Sequence, residues 1–144
     1  AKLDGCVALV TGSGRGIGQQ VALQLAAEGA KVVVNDLDEA PAAETVEVIK
    51  SNGGEAVACV GSVTDPAFPK RFIDTAMDNY GDIHIIVNNA GIAQIDALLD
   101  VTPEQVDRTL RINVQGTLWG IQAAGKKFKA LKHLESLGMT VLLL

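Results

Sequence analysis

Two spacings of apolar residues alternate along this chain. Short, nearly unbroken apolar runs occupy residues 6–10, 31–35, 55–60, 83–87 and 139–144. They are rich in Val and Ile, and polar residues hardly interrupt them. Such runs predict strands buried on both faces, as in a parallel sheet. Helical spacings lie between them. Ile17, Val21 and Leu25 recur every four residues with Ala22 and Ala26 beside them, and Gly29 supplies a stop. Pro41 opens a second predicted helix, which carries Val46 and Ile49 to Gly53-Gly54. Asp65-Pro66 reads as N-cap and first-turn pair for a third, with Phe68, Phe72, Ala76 and Tyr80 on one face and Gly81 at its close. Thr102-Pro103-Glu104-Gln105 is a capping box. It opens a long helical stretch, in one or two pieces, whose apolar line is Val114, Leu118, Ile121, Phe128 and Leu131.

Strands and helices thus alternate from end to end. Right-handed crossovers turn that order into an α/β fold: a Rossmann-type doubly wound parallel sheet of about five strands, in order 3-2-1-4-5, with helices on both faces. The expected organisation is one domain over residues 1–144. Ligands of such sheets sit at the carboxyl ends of the strands, near the switch point between strands 1 and 4. The residues after Val10 and after Val87 are therefore the ones to inspect.

The first of these is Thr11-Gly12-Ser13-Gly14-Arg15-Gly16-Ile17-Gly18, which runs straight into a helix. Glycine is needed where φ must be positive and where a phosphate must approach the backbone. The helix N-terminus adds free N–H groups and partial positive charge, which suit a pyrophosphate. The second strand ends at Asp36. A carboxylate there can accept both hydroxyls of an adenosine ribose and would repel a 2′-phosphate, so it favours NAD over NADP. After Val87 comes Asn88-Asn89-Ala90-Gly91, amides followed by small residues that permit close backbone approach.

The spacing Thr-Gly-x-x-x-Gly-Ile-Gly of residues 11–18, together with Asn88-Asn89-Ala90-Gly91, resembles the short-chain dehydrogenase/reductase family. The resemblance covers residues from about 6 to 128. It implies that Gly12, Ser13, Arg15, Gly16, Ile17 and Gly18 hold the pyrophosphate of NAD or NADP and that Asp36 takes the ribose. It further implies that Ser62 and Val63 face the adenine, that the Asn88 and Asn89 amides hold the central sheet together, and that Ala90 and Gly91 let the nicotinamide ribose pass, with Asn88, Ala90 and Gly91 counted in the cofactor site. Arg15 pulls toward NADP, because a basic residue in this loop often accompanies that preference in the family. Asp36 abuts the 2′ position more directly, so NAD is the expected cofactor. Relatives usually carry Asp where Ser62 stands, and a hydroxyl accepts a hydrogen bond more weakly than a carboxylate.

The family's catalysis uses Asn, Ser, Tyr and Lys, the Tyr serving as acid or base for a substrate hydroxyl. Asn113, in Arg111-Ile112-Asn113-Val114, matches the first of these. The single tyrosine, Tyr80, has no Lys four residues on, and its spacing with Phe72 marks it as core. The Ser and the Tyr-x-x-x-Lys would follow the fifth strand, where the sequence stops. Residues 126–144 depart from the family pattern and suggest truncation or a chimera. The resemblance therefore implies the NAD(P)-binding part of an oxidoreductase that moves hydride between a nicotinamide cofactor and an alcohol or ketone, itself short of catalytic groups. The alternative is a scaffold or interaction module without turnover.

Composition changes this picture little. The chain has 144 residues, a net charge of −5 and 48% hydrophobic residues, enough for a sizeable core. The acidic balance argues against nucleic acid or an anionic membrane as partner. No apolar run is long enough to span a bilayer, and the first residues lack the apolar stretch of a signal peptide. Cys6 and Cys59 fall in strand runs and read as reduced thiols of a cytoplasmic protein. No His/Cys spacing suggests a metal site. His84 reads as a satisfied core histidine within the fourth strand, and His133 as exposed on the last helix. A homo-oligomer is expected, formed through the long helix 113–137 or across an apolar edge strand at 139–144.

Overall fold

The computed structural model describes residues 1–133, and the backbone of residues 140–143. Strands β1 (Val7–Val10), β2 (Lys31–Asp36), β3 (Glu55–Val60), β4 (Ile85–Asn88) and β5 (Thr140–Leu143) form one sheet in the order β3-β2-β1-β4-β5. Every pairing is parallel. Helices α1 (Gly16–Ala27), α2 (Glu39–Ser51), α3 (Phe68–Tyr80), α4 (Pro103–Leu110) and α5 (Thr117–Ala130) make the connections. The chain thus reverses direction across the sheet between β1 and β4, the expected switch point.

The strands alternate between two cores. Val7 and Leu9 of β1 join Val33, Ile86, Phe68, Phe72, Ala124 and Phe128 under α3 and α5. Ala8 and Val10 join Val32, Val34, Val87, Ala22, Val46 and Ile49 under α1 and α2. Covering both faces with helices explains why the strands are apolar at consecutive positions.

Some element details differ from the sequence expectation, each for a local reason. Helix α1 packs through Gly18, Ala22 and Ala26, while Ile17 is 73% exposed. The small residues let the helix lie close to the sheet, and the larger ones flank the contact. Helix α2 opens at Glu39, two residues before Pro41. Proline is tolerated within the first turn, whose N–H groups have no helical acceptor. Asp65 does not cap α3. It builds the turn before the helix, its Oδ1 accepting the Ala67 N–H at 2.9 Å and its carbonyl the Phe68 N–H at 3.0 Å. Helix α3 then starts at Phe68 with Pro69 in its first turn.

The long stretch after Thr102 is helical almost throughout, but it changes pitch. The expected capping box is formed by Thr102 and Gln105. Between α4 and α5 lies a π-helical segment, Arg111–Gly116, that contains Asn113. The extra residue per turn rotates the following face, so α5 buries Ala124 and Phe128. Val114 and Leu118, expected on the inner line, are instead 58% and 50% exposed. Helix α5 ends at Ala130; of the expected long helix 113–137, residues 134–137 lie outside the described residues, as do 139 and 144 of the expected edge strand.

Candidate dinucleotide site

Three polar side chains, Thr11 and Asn35 buried and Asn89 half-buried, stitch together the carboxyl end of the sheet. Thr11, at the end of β1, is 4% exposed. Its Oγ1 accepts the N–H groups of Asn89 at 3.0 Å and Ala90 at 2.9 Å. The Asn89 amide returns the contact, Nδ2 donating to the carbonyls of Thr11 and Gly12, both at 3.0 Å. On the other side, Asn35 Oδ1 accepts the Gly12 N–H at 3.1 Å, and its Nδ2 donates to the carbonyls of Cys59 and Gly61 at 3.0 Å. The glycine loop is thus fastened to the ends of β2, β3 and β4 at once. Asn89 thus holds the central sheet together, as the resemblance implies for its amide, whereas the role of Asn35 has no signal in the sequence beyond a polar residue near the end of an apolar run.

The loop geometry explains its glycines at two places. Gly12 has φ +60°, and a Cβ there would lie 3.0 Å from the Ala90 Cα. At Gly18 a Cβ would run into the Gly12 carbonyl and the Asn89 amide. The loop is thereby pressed onto the end of β4, and the first turn of α1 opens into a cleft.

That cleft has a volume of about 420 Å³. Of the expected residues, Gly12, Arg15, Ile17, Gly18, Asp36, Ser62, Val63, Ala90 and Gly91 line it. The structure places Ser13, Gly16 and Asn88 outside the lining. Ser13 is fully buried, its Oγ donating to the Val10 carbonyl at 2.8 Å and accepting the Asn35 N–H at 3.1 Å. Asn88 is packed against Gly120 of α5. Leu37, Arg108 and Ile112, none of them expected, also line the cleft, as do Asn35, Gly61, Asn89 and Ile92.

At the β2 end, the Asp36 carboxylate accepts the Gly14 N–H and the Asp38 N–H, each at 3.2 Å. Arg15 extends across it. Its Nη2 is 2.9 Å from Asp38 Oδ2 and 3.6 Å from Asp36 Oδ1. At the opposite wall Asn113 makes a two-point contact with one residue. Its Oδ1 accepts the Ile92 N–H at 2.9 Å, and its Nδ2 donates to the Ile92 carbonyl at 2.8 Å. The π-helical turn thereby fixes the loop that roofs the cleft; such turns are frequent at functional sites.

Tyr80 lies at the other end of the sheet, with Lys31, the first residue of β2, over its ring at 5.6 Å. Burial pushes its hydroxyl up to about 12, with the Glu55 carboxylate adding to the shift. A phenol so placed cannot serve as an acid or base near neutrality. Absorbance titration of this single tyrosine is expected to give a midpoint near 12 rather than the ordinary value of about 10. Because the folded value is raised, the stabilisation from its neutral form persists below about pH 10 and is lost as pH rises through the folded midpoint.

Also at that end, Asp82, His84 and His133 bring ligand-type atoms within 4.8 Å of one another. His84 lies just before β4, and its Nδ1 accepts the Val7 N–H at 3.0 Å. The proton is therefore on Nε2, 3.3 Å from Asp82 Oδ2, which makes His84 a donor and not a metal ligand in this arrangement. His133 is not exposed on a helix as expected. It lies in the turn after α5, its Nε2 2.6 Å from Asp82 Oδ1 and its ring stacked on His84. Burial would raise the Asp82 carboxyl, but the hydrogen bonds from His133 and the Ile83 N–H and the nearby histidines hold it below its ordinary value.

Comparison with known proteins agrees with the geometry. The sequence model of the short chain dehydrogenase family matches residues 6–135. The chain is 41% identical over 142 residues to a versicolorin reductase of Emericella nidulans, covering 98% of this chain and 52% of that protein. It is 43% identical over 127 residues to an L-2,3-butanediol dehydrogenase of Corynebacterium glutamicum, covering 87% and 49%. A crystal structure of a short chain dehydrogenase from Burkholderia cenocepacia in complex with NADP superposes with a TM-score of 0.83 at 37% identity, covering 88% of this chain and 52% of that one. One from Mycobacterium avium gives 0.91 at 31%, covering 99% and 55%. The chain belongs to the short-chain dehydrogenase family of NAD(P)-binding oxidoreductases. It spans about half the length of the relatives it matches.

Proposed function

We propose that this chain is one NAD(P)-binding domain, residues 1–144, of an oxidoreductase that moves hydride between a nicotinamide cofactor and an alcohol or ketone. The observation that carries the reading is the fastened glycine loop opening onto a cleft with Asp36 at its ribose end. The cofactor supplies the hydride chemistry when bound. Gly12 and Gly18 let the pyrophosphate approach, and the N-terminus of α1 offers N–H groups and partial positive charge to it. Asp36 accepts the ribose hydroxyls. We assign NAD over NADP, because Asp36 would repel a 2′-phosphate and Arg15 is already committed to Asp38 and Asp36. Asn113 is the one member of the family's catalytic set that this sequence carries, and its contact with Ile92 holds the Gly91–Ile92 wall in place. With its only tyrosine at the far end of the sheet, the chain by itself binds cofactor without turning over an alcohol or ketone.

Titration with NADH and NADPH, followed by nicotinamide fluorescence, tests this reading. Saturable NADH binding is expected, tighter than NADPH. Asp36→Ala should weaken NADH by about tenfold or more, the scale of a lost charged hydrogen bond, and NADPH much less. Equal losses for both cofactors would mean structural damage instead of ribose recognition. Robust oxidation of secondary alcohols by the chain alone would overturn the expected lack of turnover.

A second reading concerns association. Val106, Leu110, Val114 and Leu118 follow one another at four-residue steps along α4, the π-helical turn and α5, each 47–58% exposed. Such a stripe fits self-association through this helix face. Light scattering is expected to show a dimer or larger species that Leu110→Glu dissociates; a clean monomer at high concentration would overturn it. Among the described residues no helix is long and apolar enough to cross a membrane. Cys6 and Cys59 are free thiols, which fits a reducing, cytoplasmic setting.

A further inference from the structure

The part of the cleft around Ser62 and Val63, expected to face the adenine, is built differently from the Asp36 carboxylate beside it. Val63 and Ile112 give it apolar lining. Ser62, which stands where relatives usually carry Asp, is turned into its own bend. Its Oγ accepts the Thr64 N–H at 3.1 Å and lies 2.7 Å from Thr64 Oγ1. The one carboxylate lining the cleft, Asp36, already accepts the Gly14 and Asp38 N–H groups and is assigned to the ribose. The Ser62–Val63 side therefore offers a purine little hydrogen bonding from acidic side chains.

It does offer a guanidinium. Arg108 projects from α4 into the cleft wall one helical turn before Ile112. Of the four arginines in the sequence, the other three are engaged. Arg15 pairs with Asp38 and Asp36, Arg71 donates to the Val60 carbonyl and lies over the Phe68 ring, and Arg111 pairs with Asp107. Arg108 has neither an ion pair nor a side-chain hydrogen bond among the described residues. Its helix is rigidly started by Pro103 and the Thr102–Gln105 capping box. A planar, weakly hydrated cation beside apolar walls is suited to the face of an aromatic ring.

We propose that Arg108 recognises the adenine of the dinucleotide by stacking its guanidinium on the ring, in place of the hydrogen bond that a carboxylate at position 62 would supply. The inference rests on the NAD(P)-binding reading above. Base–arginine stacking tolerates any purine, so recognition at this end is by shape and π-face instead of by the amino group.

The test is fluorescence titration of the full chain with NADH, using wild type, Arg108→Ala and Arg108→Lys, with thermal midpoints as a check on folding. Arg108→Ala is expected to weaken NADH about fivefold without lowering the midpoint. Arg108→Lys should recover little of the loss, because the ammonium lacks the plane. AMP, competing against NADH, should show the same fivefold loss in Arg108→Ala. Unchanged NADH affinity in Arg108→Ala overturns the proposal. Full recovery by Arg108→Lys also overturns it, because bare charge would then suffice. If wild type binds neither NADH nor NADPH, the dinucleotide reading itself fails. If wild type binds and Arg108→Ala binds equally well, the role of Arg108 alone fails.

Discussion

Gly18→Ala is expected to abolish dinucleotide binding. The added methyl would run into the Gly12 carbonyl and the Asn89 amide. Neither can step aside, since the Asn89 Nδ2 donates to both Thr11 and Gly12 and the Gly12 N–H is held by Asn35. The start of α1 must instead move away from the loop, and the N–H groups that would meet a pyrophosphate move with it. Overpacking of this kind costs up to about 3 kcal/mol, which corresponds to ~100-fold in Kd for NADH if it falls on the binding geometry. The thermal midpoint should drop as well. Gly125→Ala is the matched control. A Cβ at Gly125 meets nothing within 4 Å, and the residue sits inside α5. There alanine should raise stability by about 0.5–1 kcal/mol through helix propensity and leave NADH binding unchanged. Gly18→Ala binding NADH like wild type would show that the loop does not form the phosphate site.

The contrast between these two glycines also shows which parts of the molecule can be read from residues in order. The glycine loop was legible because its composition is extreme and its context, strand before and helix after, is local. The sheet order followed from uninterrupted apolar strands and right-handed crossovers, and the structure has that order. What could not be read depends on partners distant in sequence. Asn35 ends an apolar run like any strand-terminal polar residue, and its role exists only because the ends of β1 and β3 lie beside it. Arg108 is an exposed charged residue on α4 that nothing local marks, and only the fold brings it into the lining of the cleft. The sequence pattern misplaces the inner face of α5 for a related reason. A four-residue apolar line through Val114 and Leu118 assumes constant pitch, and the π-helical turn at Arg111–Gly116 breaks that assumption. Helical spacing continues past Ala130 in the sequence and predicts His133 on an exposed helix face. The backbone instead turns, with Lys132 at φ +61°, and carries the imidazole to Asp82.

Thr11→Val should be the most damaging isosteric change in the chain. The two side chains have almost the same shape, so packing is nearly preserved. The hydroxyl, however, is the acceptor for two backbone N–H groups, Asn89 and Ala90, at the point where β4 ends and the cleft begins. Valine leaves both donors facing a methyl in a part-buried site. At about 1–3 kcal/mol for each stranded donor, the expected loss is roughly 2–4 kcal/mol, with some relief if water enters. A loss of that size would be a large share of a small domain's stability, which is typically about 5–15 kcal/mol. Thr11→Ser keeps the oxygen and gives up only a methyl, so it should cost far less. Chemical denaturation of the three proteins gives the comparison directly. The binding consequence follows from the same bonds. Ala90 and Gly91 line the cleft, and their backbone is positioned by the Thr11 hydroxyl on one side and by Asn113 through Ile92 on the other. Releasing the first tether should weaken NADH even under conditions where Thr11→Val remains folded. If Thr11→Val and Thr11→Ser prove equally stable, the hydroxyl is not what ties β4 to the glycine loop.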